Sequence, residues 1–106
     1  MSRKRLDENE IQERLSTLQG WTVQGDHLQR EFKFKNFVVA FGWMSSVALV
    51  AERMDHHPDW KNVYNRVEVS LWTHDAGGIT ENDFALATEM NRLAAALIPG
   101  MPVPGA

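Results

Sequence analysis

The chain contains no cysteine, and this absence excludes a disulfide framework, a thiolate metal site and a thiol nucleophile. It also lacks an excess of basic charge. The net charge of -3 provides no general attraction to nucleic acid, so we expect no nucleic-acid partner. No serine stands in a Gly-x-Ser-x-Gly elbow, which argues against a Ser/His/Asp nucleophile. Chemistry at cysteine or at an activated serine is therefore not indicated.

Long apolar runs are scarce as well, since a membrane span needs roughly 20 apolar residues and no run approaches that length. The basic positions 3–5 are followed by three carboxylates within positions 7–10, where a signal peptide would be apolar. We therefore expect a cytoplasmic protein with no membrane partner. At 106 residues the chain can build one compact core but not two, which predicts a single domain over residues 1–106.

Apolar residues at helical spacing, preceded by capping residues, indicate helices near both ends of the chain. Asp7 and Glu10 have the capping-box spacing, and the helix that they begin should run up to Gly20. Thr80 and Asp83 form a similar N-cap pair before the last helix.

A central helix, predicted over residues 37–54 with Asn36 as its N-cap, is apolar almost all round. A helix that is apolar on both flanks is buried on both flanks, and in a domain this small one flank is expected to meet another subunit. We therefore expect a homo-oligomer, either a homodimer or a homotetramer. Pro58 is expected to stop this helix and to place the residues just before it at a helix end or in a loop.

Two regions alternate between apolar and polar residues, as half-buried strands do. One contains a turn at Gly25-Asp26 and continues through residues 28–35, and the other runs from about Lys61 to His74. The apolar residues that share one parity in the second region are Val63, Val67, Val69 and Leu71. His74 has the opposite parity and should point away from the core. These patterns favour an α+β fold, an antiparallel four-stranded sheet with three helices packed on one face, in the order α-β-β-α-β-β-α.

Three of the four histidines lie in a central stretch among carboxylates. His56 and His57 are adjacent and followed by Pro58, while His74 lies downstream beside Asp75. Histidine can give or take a proton near neutral pH, so this grouping suggests proton-transfer chemistry, although adjacent histidines are also common in solvated loops. A metal site is disfavoured because adjacent side chains diverge, and we expect no bound metal.

The segment from residue 52 to residue 83 resembles the pterin-4a-carbinolamine dehydratases. The pattern of that family is an acidic residue, three spacers, His-His-Pro, an aromatic residue, a third histidine and finally an aspartate. The residues that stand in those places with the expected gaps are Glu52, His56, His57, Pro58, Tyr64, His74 and Asp83. A looser similarity extends to Gly20-Trp21 and to residues 32–37, so the resemblance covers nearly the whole chain.

This resemblance implies dehydration of a 4a-hydroxytetrahydropterin to the quinonoid dihydropterin, the step that regenerates the pterin cofactor after an aromatic amino acid hydroxylase has used it. It also implies that the protein needs no metal or organic cofactor. That agrees with the chemistry, because imidazoles can protonate the leaving hydroxyl and accept a ring proton. Catalytic roles are implied for His56, His57 and His74. The residues implied to contact the substrate are Asp55, His56, His57, Trp72, Thr73, His74 and Asp75.

Four neighbouring residues have roles that the resemblance leaves less defined. Glu52 is a candidate to support the histidines, and pairing with a nearby arginine is the simpler alternative. Trp60 is a candidate for either a stacking wall or a packing residue. Asp83 is explained by capping alone, so we assign it no catalytic role. Asn82 stands where several relatives have an arginine, which implies that any help from a guanidinium in holding the substrate is missing here.

A function of another class stays open beside the enzyme. Some family members also bind a transcription factor's dimerisation helix through the helical surface that they use to self-associate. The two-sided helix at residues 37–54 would allow a similar contact. A non-catalytic interaction module of the same fold is therefore the alternative, although such a module would have no reason to keep three histidines.

Overall fold

The computed structural model describes residues 4–101; residues 1–3 and 102–106, which belong to the predicted domain, lie outside the described residues. The elements are α1 (Glu8–Leu15), β1 (Thr22–Gln24), β2 (His27–Lys33), α2 (Phe37–Met54), β3 (Asp59–Val63), β4 (Arg66–Leu71), a 3-10 turn (His74–Ala76) and α3 (Glu81–Ala95). The strands pair antiparallel in the order β1-β2-β4-β3. The predicted α+β architecture is confirmed.

The helices begin where the sequence indicates, because a side chain at each start satisfies backbone N–H groups that have no partner within the helix. In α1, the carboxylate of Asp7 accepts from the Glu10 N–H at 2.8 Å, and Glu10 accepts from the Asp7 N–H at 3.0 Å. In α2, Asn36 Oδ1 accepts from a backbone N–H three residues on, at 2.9 Å. α1 ends earlier than predicted, at Leu15, and Leu18 reaches the core from the turn that follows.

One face of the sheet is buried under the helices, and the other is open. In β4 every second residue is buried, and in β2 the buried residues Leu28 and Phe32 lie on one side, as expected for a sheet covered on one face. Trp43 of α2 is almost fully buried, and its ring lies against Phe32 and Phe34, with centroid distances of 4.5 Å and 5.0 Å. Each large apolar side chain buried in this way contributes roughly 2 to 3 kcal/mol, so this aromatic group anchors α2 to the sheet.

The parity predicted for the second strand region is wrong at Val63. Residues 64 and 65 form a two-residue turn between β3 and β4, and Val63 pairs with Arg66 across it. Paired residues lie on the same face of a sheet, so Val63 shares the open face with Arg66 and is exposed. The turn could not be predicted from residue preferences, because Tyr64 has a positive φ of 52°, a conformation in which glycine or asparagine is usual.

The end of α2 positions the first histidine of the pair. Asp55 follows the last helical residue with φ of 52° and ψ of 44°, a left-handed conformation. Its N–H donates to the Glu52 carbonyl at 3.1 Å. The N–H of His56 donates to the Ala51 carbonyl at 3.0 Å, which completes a Schellman motif. This motif, rather than Pro58, ends the helix, but the prediction that the histidines follow it in a loop is confirmed.

The two flanks of α2 differ in burial although both are apolar. Trp43 and Val47 lie on the buried flank. The large apolar side chains exposed on the other flank are Phe37, Val38, Phe41 and Leu49. Contrary to the expectation from the sequence, α2 is by length and composition apolar enough to cross a membrane, with 18 residues and a mean hydropathy of 1.4. Core helices of soluble proteins share this property, and the inner flank of α2 packs as a core helix does.

Candidate active site

The predicted site residues meet at one end of the sheet, where β4 ends and both of its neighbours begin. Leu71 at the end of β4 pairs with Leu28 in β2, and Ser70 pairs with Asp59 at the start of β3. A cavity of about 300 Å³ lies at this end. Its lining consists of Asp55, His56, His57, Pro58, Asp59, Trp72, Thr73, His74 and Asp75.

This lining contains all seven residues that the resemblance assigns to substrate contact. Two segments supply it, namely residues 55–59 between α2 and β3 and residues 72–75 after β4. A larger hollow of about 620 Å³ lies on the open face of the sheet, but its lining contains no histidine. The smaller cavity is the candidate active site, because His56, His57 and His74 all line it and each can transfer a proton.

His56 forms the inner wall of this cavity, with only 6% of its side chain exposed. Its Nε2 atom lies 2.6 Å from Oδ1 of Asp83, a carboxylate that is fully buried. An ionised carboxylate can only accept a hydrogen bond, so Nε2 of His56 carries the proton in this pair. Nδ1 is then the ring nitrogen of His56 that can exchange a proton with a ligand.

Asp83 is itself held from two sides at the start of α3. Its second oxygen, Oδ2, accepts from the Thr80 backbone N–H at 2.8 Å and from the Thr73 hydroxyl at 2.9 Å. The capping role predicted for Asp83 is confirmed, but capping alone does not explain this residue, because its other oxygen binds His56. Sequence reasoning missed this contact with His56, although the place of Asp83 in the family pattern was a signal for it.

His57 lies on the outer wall and points to a different carboxylate. Its Nε2 atom is 2.8 Å from Oε1 of Glu52, which lies in the last turn of α2. The side chains of His57 and Glu52 are 60% and 80% exposed, so water screens their interaction. Glu52 therefore lies beside His57 but outside the lining of the cavity, and its supporting role stays a prediction.

His74 belongs to the 3-10 turn that follows β4, and its side chain is 66% exposed. The turn is closed by bonds from the Thr73 N–H to the Gly78 carbonyl at 2.9 Å and from the Gly77 N–H to the Thr73 carbonyl at 3.0 Å. The ring of His74 stacks on Trp72 with a centroid distance of 4.0 Å. His74 thus points away from the core at the sheet end, as its parity predicted.

Three other residues of the sequence prediction lie elsewhere. Trp60 packs toward the core, 6.2 Å from Trp43 between ring centroids, and is not part of the cavity lining. This contact supports the packing alternative over the stacking wall. Tyr64 is exposed in the β3–β4 turn, at the opposite end of β4 from the cavity. Asn82 is buried in the first turn of α3 and lies outside the cavity lining.

The histidines and carboxylates do not assemble into a set of metal ligands. Among residues 4–101, no three His, Asp or Glu side chains converge so that they could hold a metal ion. The adjacent pair diverges, because His56 binds Asp83 while His57 binds Glu52. That the protein binds no metal stays a prediction.

These contacts define a class of protein: a small α+β domain with a pocket of histidines at a sheet end, one of them held by a buried carboxylate. A family model described as Pterin 4 alpha carbinolamine dehydratase matches residues 4–93. The chain belongs to this family.

Two relatives of known sequence, both named provisionally for the same dehydratase, support the assignment. One from Solibacter usitatus (strain Ellin6076) is 54% identical over 91 residues, which are 86% of this chain and 96% of the relative. One from Rhizobium johnstonii is 50% identical over 97 residues, which are 90% of this chain and 96% of the relative.

Two solved structures share the fold. A protein from Brucella melitensis, described as a transcriptional coactivator/pterin dehydratase, superposes with a TM-score of 0.84 at 50% identity, over 86% of this chain and 99% of its own. A pterin dehydratase-like protein described as a RuBisCO assembly factor in the alpha-carboxysome gives a TM-score of 0.61 at 23% identity, over 71% of this chain and 89% of its own. The second similarity concerns the fold alone.

Proposed function

We propose that this protein dehydrates a 4a-hydroxytetrahydropterin to the quinonoid dihydropterin and water in the cytoplasm, and so regenerates the pterin cofactor of an aromatic amino acid hydroxylase. The observation that carries the proposal is the cavity at the sheet end, which is lined by both the buried His56 and the exposed His74. Two imidazoles on separate segments can serve the two proton transfers that this reaction requires.

The reaction balances without any further reagent. One imidazole protonates the hydroxyl on the carbinol carbon, the C–O bond breaks, and water leaves. The adjacent ring nitrogen forms a double bond to that carbon, and its proton passes to the second imidazole. One proton is given and one is taken, and the proposed step uses no metal or organic cofactor.

His56 and His74 are the proposed donor and acceptor. The contact between Asp83 and Nε2 of His56 fixes the orientation of the His56 ring, which leaves Nδ1 for the substrate. His57 is proposed to hold the pterin and to share in proton transfer, with Glu52 holding its ring in turn.

The remaining residues of the lining would bind the pterin ring. A cavity of about 300 Å³ is at the lower end of the range for small-molecule sites, which suits a bicyclic ring whose side chain extends outward. Asp55 and Asp75 are proposed to accept hydrogen bonds from the amide-like edge of the pterin. Trp72 and Thr73 also belong to the lining and are proposed to contact the pterin.

The test is the decay of enzymatically generated 4a-hydroxytetrahydropterin, followed with and without the protein. We expect acceleration by the wild-type chain, and a loss of about 10²-fold or more when His56 or His74 is changed to alanine. Gln29→Ala, on the open face of β2 and outside the cavity lining, is the matched control and should retain activity.

A second proposal, homo-oligomerisation through the exposed flank of α2, rests on a separate observation. Three aromatic or branched side chains at the start of this flank, Phe37, Val38 and Phe41, are 47%, 76% and 55% exposed, and Leu49 continues the flank at 73%. Several exposed apolar side chains on one helix flank support contact with another protein. The same flank would serve the alternative function, an interaction module that binds an apolar helix of another protein.

A further inference from the structure

We propose that His27, the one histidine outside the family pattern, is a positioning residue that holds the Trp72–His74 stack in the geometry needed for proton transfer. This inference rests on the proposed function of His74 and adds a residue to it. His27 opens β2, 47 positions before His74 in the chain, and does not line the candidate cavity. It would therefore act through another side chain rather than on the substrate.

That side chain is Trp72. The ring of His27 stacks on one face of the indole with a centroid distance of 4.6 Å and an interplanar angle of 17°. The ring of His74 also stacks on the indole, with a centroid distance of 4.0 Å and an angle of 29°. The β2–β4 register explains the first contact, because Leu28 pairs with Leu71 and the next positions outward on the two strands are His27 and Trp72.

Hydrogen bonds hold the stack at its edges. Nδ1 of His27 lies 2.8 Å from the hydroxyl of Ser70, so its ring cannot rotate freely. The indole N–H of Trp72 donates to Oδ2 of Asp59 at 2.9 Å. The same oxygen lies 3.8 Å from Nε2 of His74, too far for a hydrogen bond but close enough to attract the ring when it is protonated.

Without the stacking contact to Trp72, the His74 side chain would have little to fix its position. Its side chain is 66% exposed and belongs to a short 3-10 turn, where few core contacts can hold it. Stacking on Trp72 supplies one fixed surface, and His27 keeps the indole from turning away. A displacement of about 1 Å in a catalytic group can cost 10²-fold in rate, so a residue that prevents such movement contributes to catalysis without touching substrate.

The kinetic test compares His27→Ala, which removes the ring, with His27→Phe, which keeps a ring able to stack. We expect kcat to fall about tenfold in His27→Ala with little change in KM, since the lost contact affects the reacting geometry rather than binding. His27→Phe should recover most of this loss. Gln29→Ala, two residues along the same strand on the same face, should keep wild-type kcat.

The second measurement does not depend on activity. Ring protons of His74, assigned in NMR spectra with a His74→Gln variant, should show an upfield ring-current shift from Trp72. His27→Ala should move them toward solvent values and His27→Phe should not. Unchanged His74 resonances and kcat in His27→Ala, or equal losses in both variants, would overturn the proposal. If the wild-type protein fails to accelerate dehydration, the proposed function fails, whereas the NMR comparison still decides whether His27 positions His74.

Discussion

The Nε2 atom of His56 lies 2.6 Å from Oδ1 of Asp83, and neither side chain has appreciable contact with solvent. A buried carboxylate that accepts from one ring nitrogen sets the tautomer and the orientation of an imidazole, and leaves the other nitrogen to act as acid or base. The two residues are 27 positions apart, and α3 brings them together by placing Asp83 in its first turn.

Asp83→Asn separates the positioning role of Asp83 from its capping role. The amide oxygen can still accept from the Thr80 N–H, but the amide N–H groups would face Nε2 of His56 and force the opposite tautomer. We expect activity to fall at least 10²-fold, while the free energy of unfolding drops by only about 1 kcal/mol. Dehydration kinetics and urea unfolding of the same preparations measure the two effects.

Asp83→Ala is the companion variant. It removes the acceptor of the Thr80 N–H in the capping box, leaves His56 without its buried partner and takes away one of the two hydroxyl contacts of Thr73, so the free energy of unfolding should fall by about 3 kcal/mol. A full retention of activity in Asp83→Asn would show that the contact with His56 is structural only.

The His57–Glu52 pair should matter much less for stability. Both side chains are mostly exposed, and exposed ion pairs contribute at most about 1 kcal/mol. Glu52→Gln should therefore leave the thermal midpoint almost unchanged and lower activity far less than His56→Ala does. Differential scanning calorimetry with the dehydration assay checks both expectations, and an activity loss as large as that of His56→Ala would instead place Glu52 in the catalytic machinery.

The apolar side chains exposed on one flank of α2 lead us to expect that the protein forms an oligomer. The wild-type chain should show a mass that is a multiple of 12.1 kDa by light scattering at micromolar concentration. Phe41→Asp should shift it toward the single-chain mass, because a charge on this half-exposed ring position disfavours burial against another subunit.

Ser46→Asp, at an exposed polar position of the same helix, is the matched control and should leave the mass unchanged. A wild-type mass near 12.1 kDa under these conditions would remove the oligomer from the account.

The site is expected to work without a metal, since His56 and His57 bind separate carboxylates. Elemental analysis of the purified protein should show no stoichiometric zinc, and dialysis against EDTA should leave the dehydration rate unchanged. One equivalent of zinc, with activity lost on its removal and restored on its return, would require a different mechanism.

Much of the fold could be predicted because local signals agreed with it. The Asn36 cap and the unbroken apolar run located α2 correctly at residues 37–54. The errors arose where backbone conformation departed from the usual residue preferences. Tyr64 adopts a positive φ without being glycine, so the β3–β4 turn left no clear trace in the sequence. Asp55 does the same, so the motif that ends α2 was not predicted, although the last helical residue was.

The residues that line the candidate site could also be predicted, but the contacts among their side chains could not. Spacing and family pattern identified His56 and His74, and the structure places both in one cavity. The contact of His56 with Asp83 depends on how α3 docks on the loop after α2, and that of His27 with Trp72 depends on the β2–β4 register. Neither docking nor register can be inferred from one sequence.

The most direct test of the central claim is the dehydration of 4a-hydroxytetrahydropterin by the wild-type chain and by the double variant His56→Ala/His74→Ala. We expect the wild-type chain to accelerate the loss of water, and the folded double variant to show only the rate of the uncatalysed reaction. Unaltered activity in the double variant, or no acceleration by the wild-type chain, would contradict the proposed function.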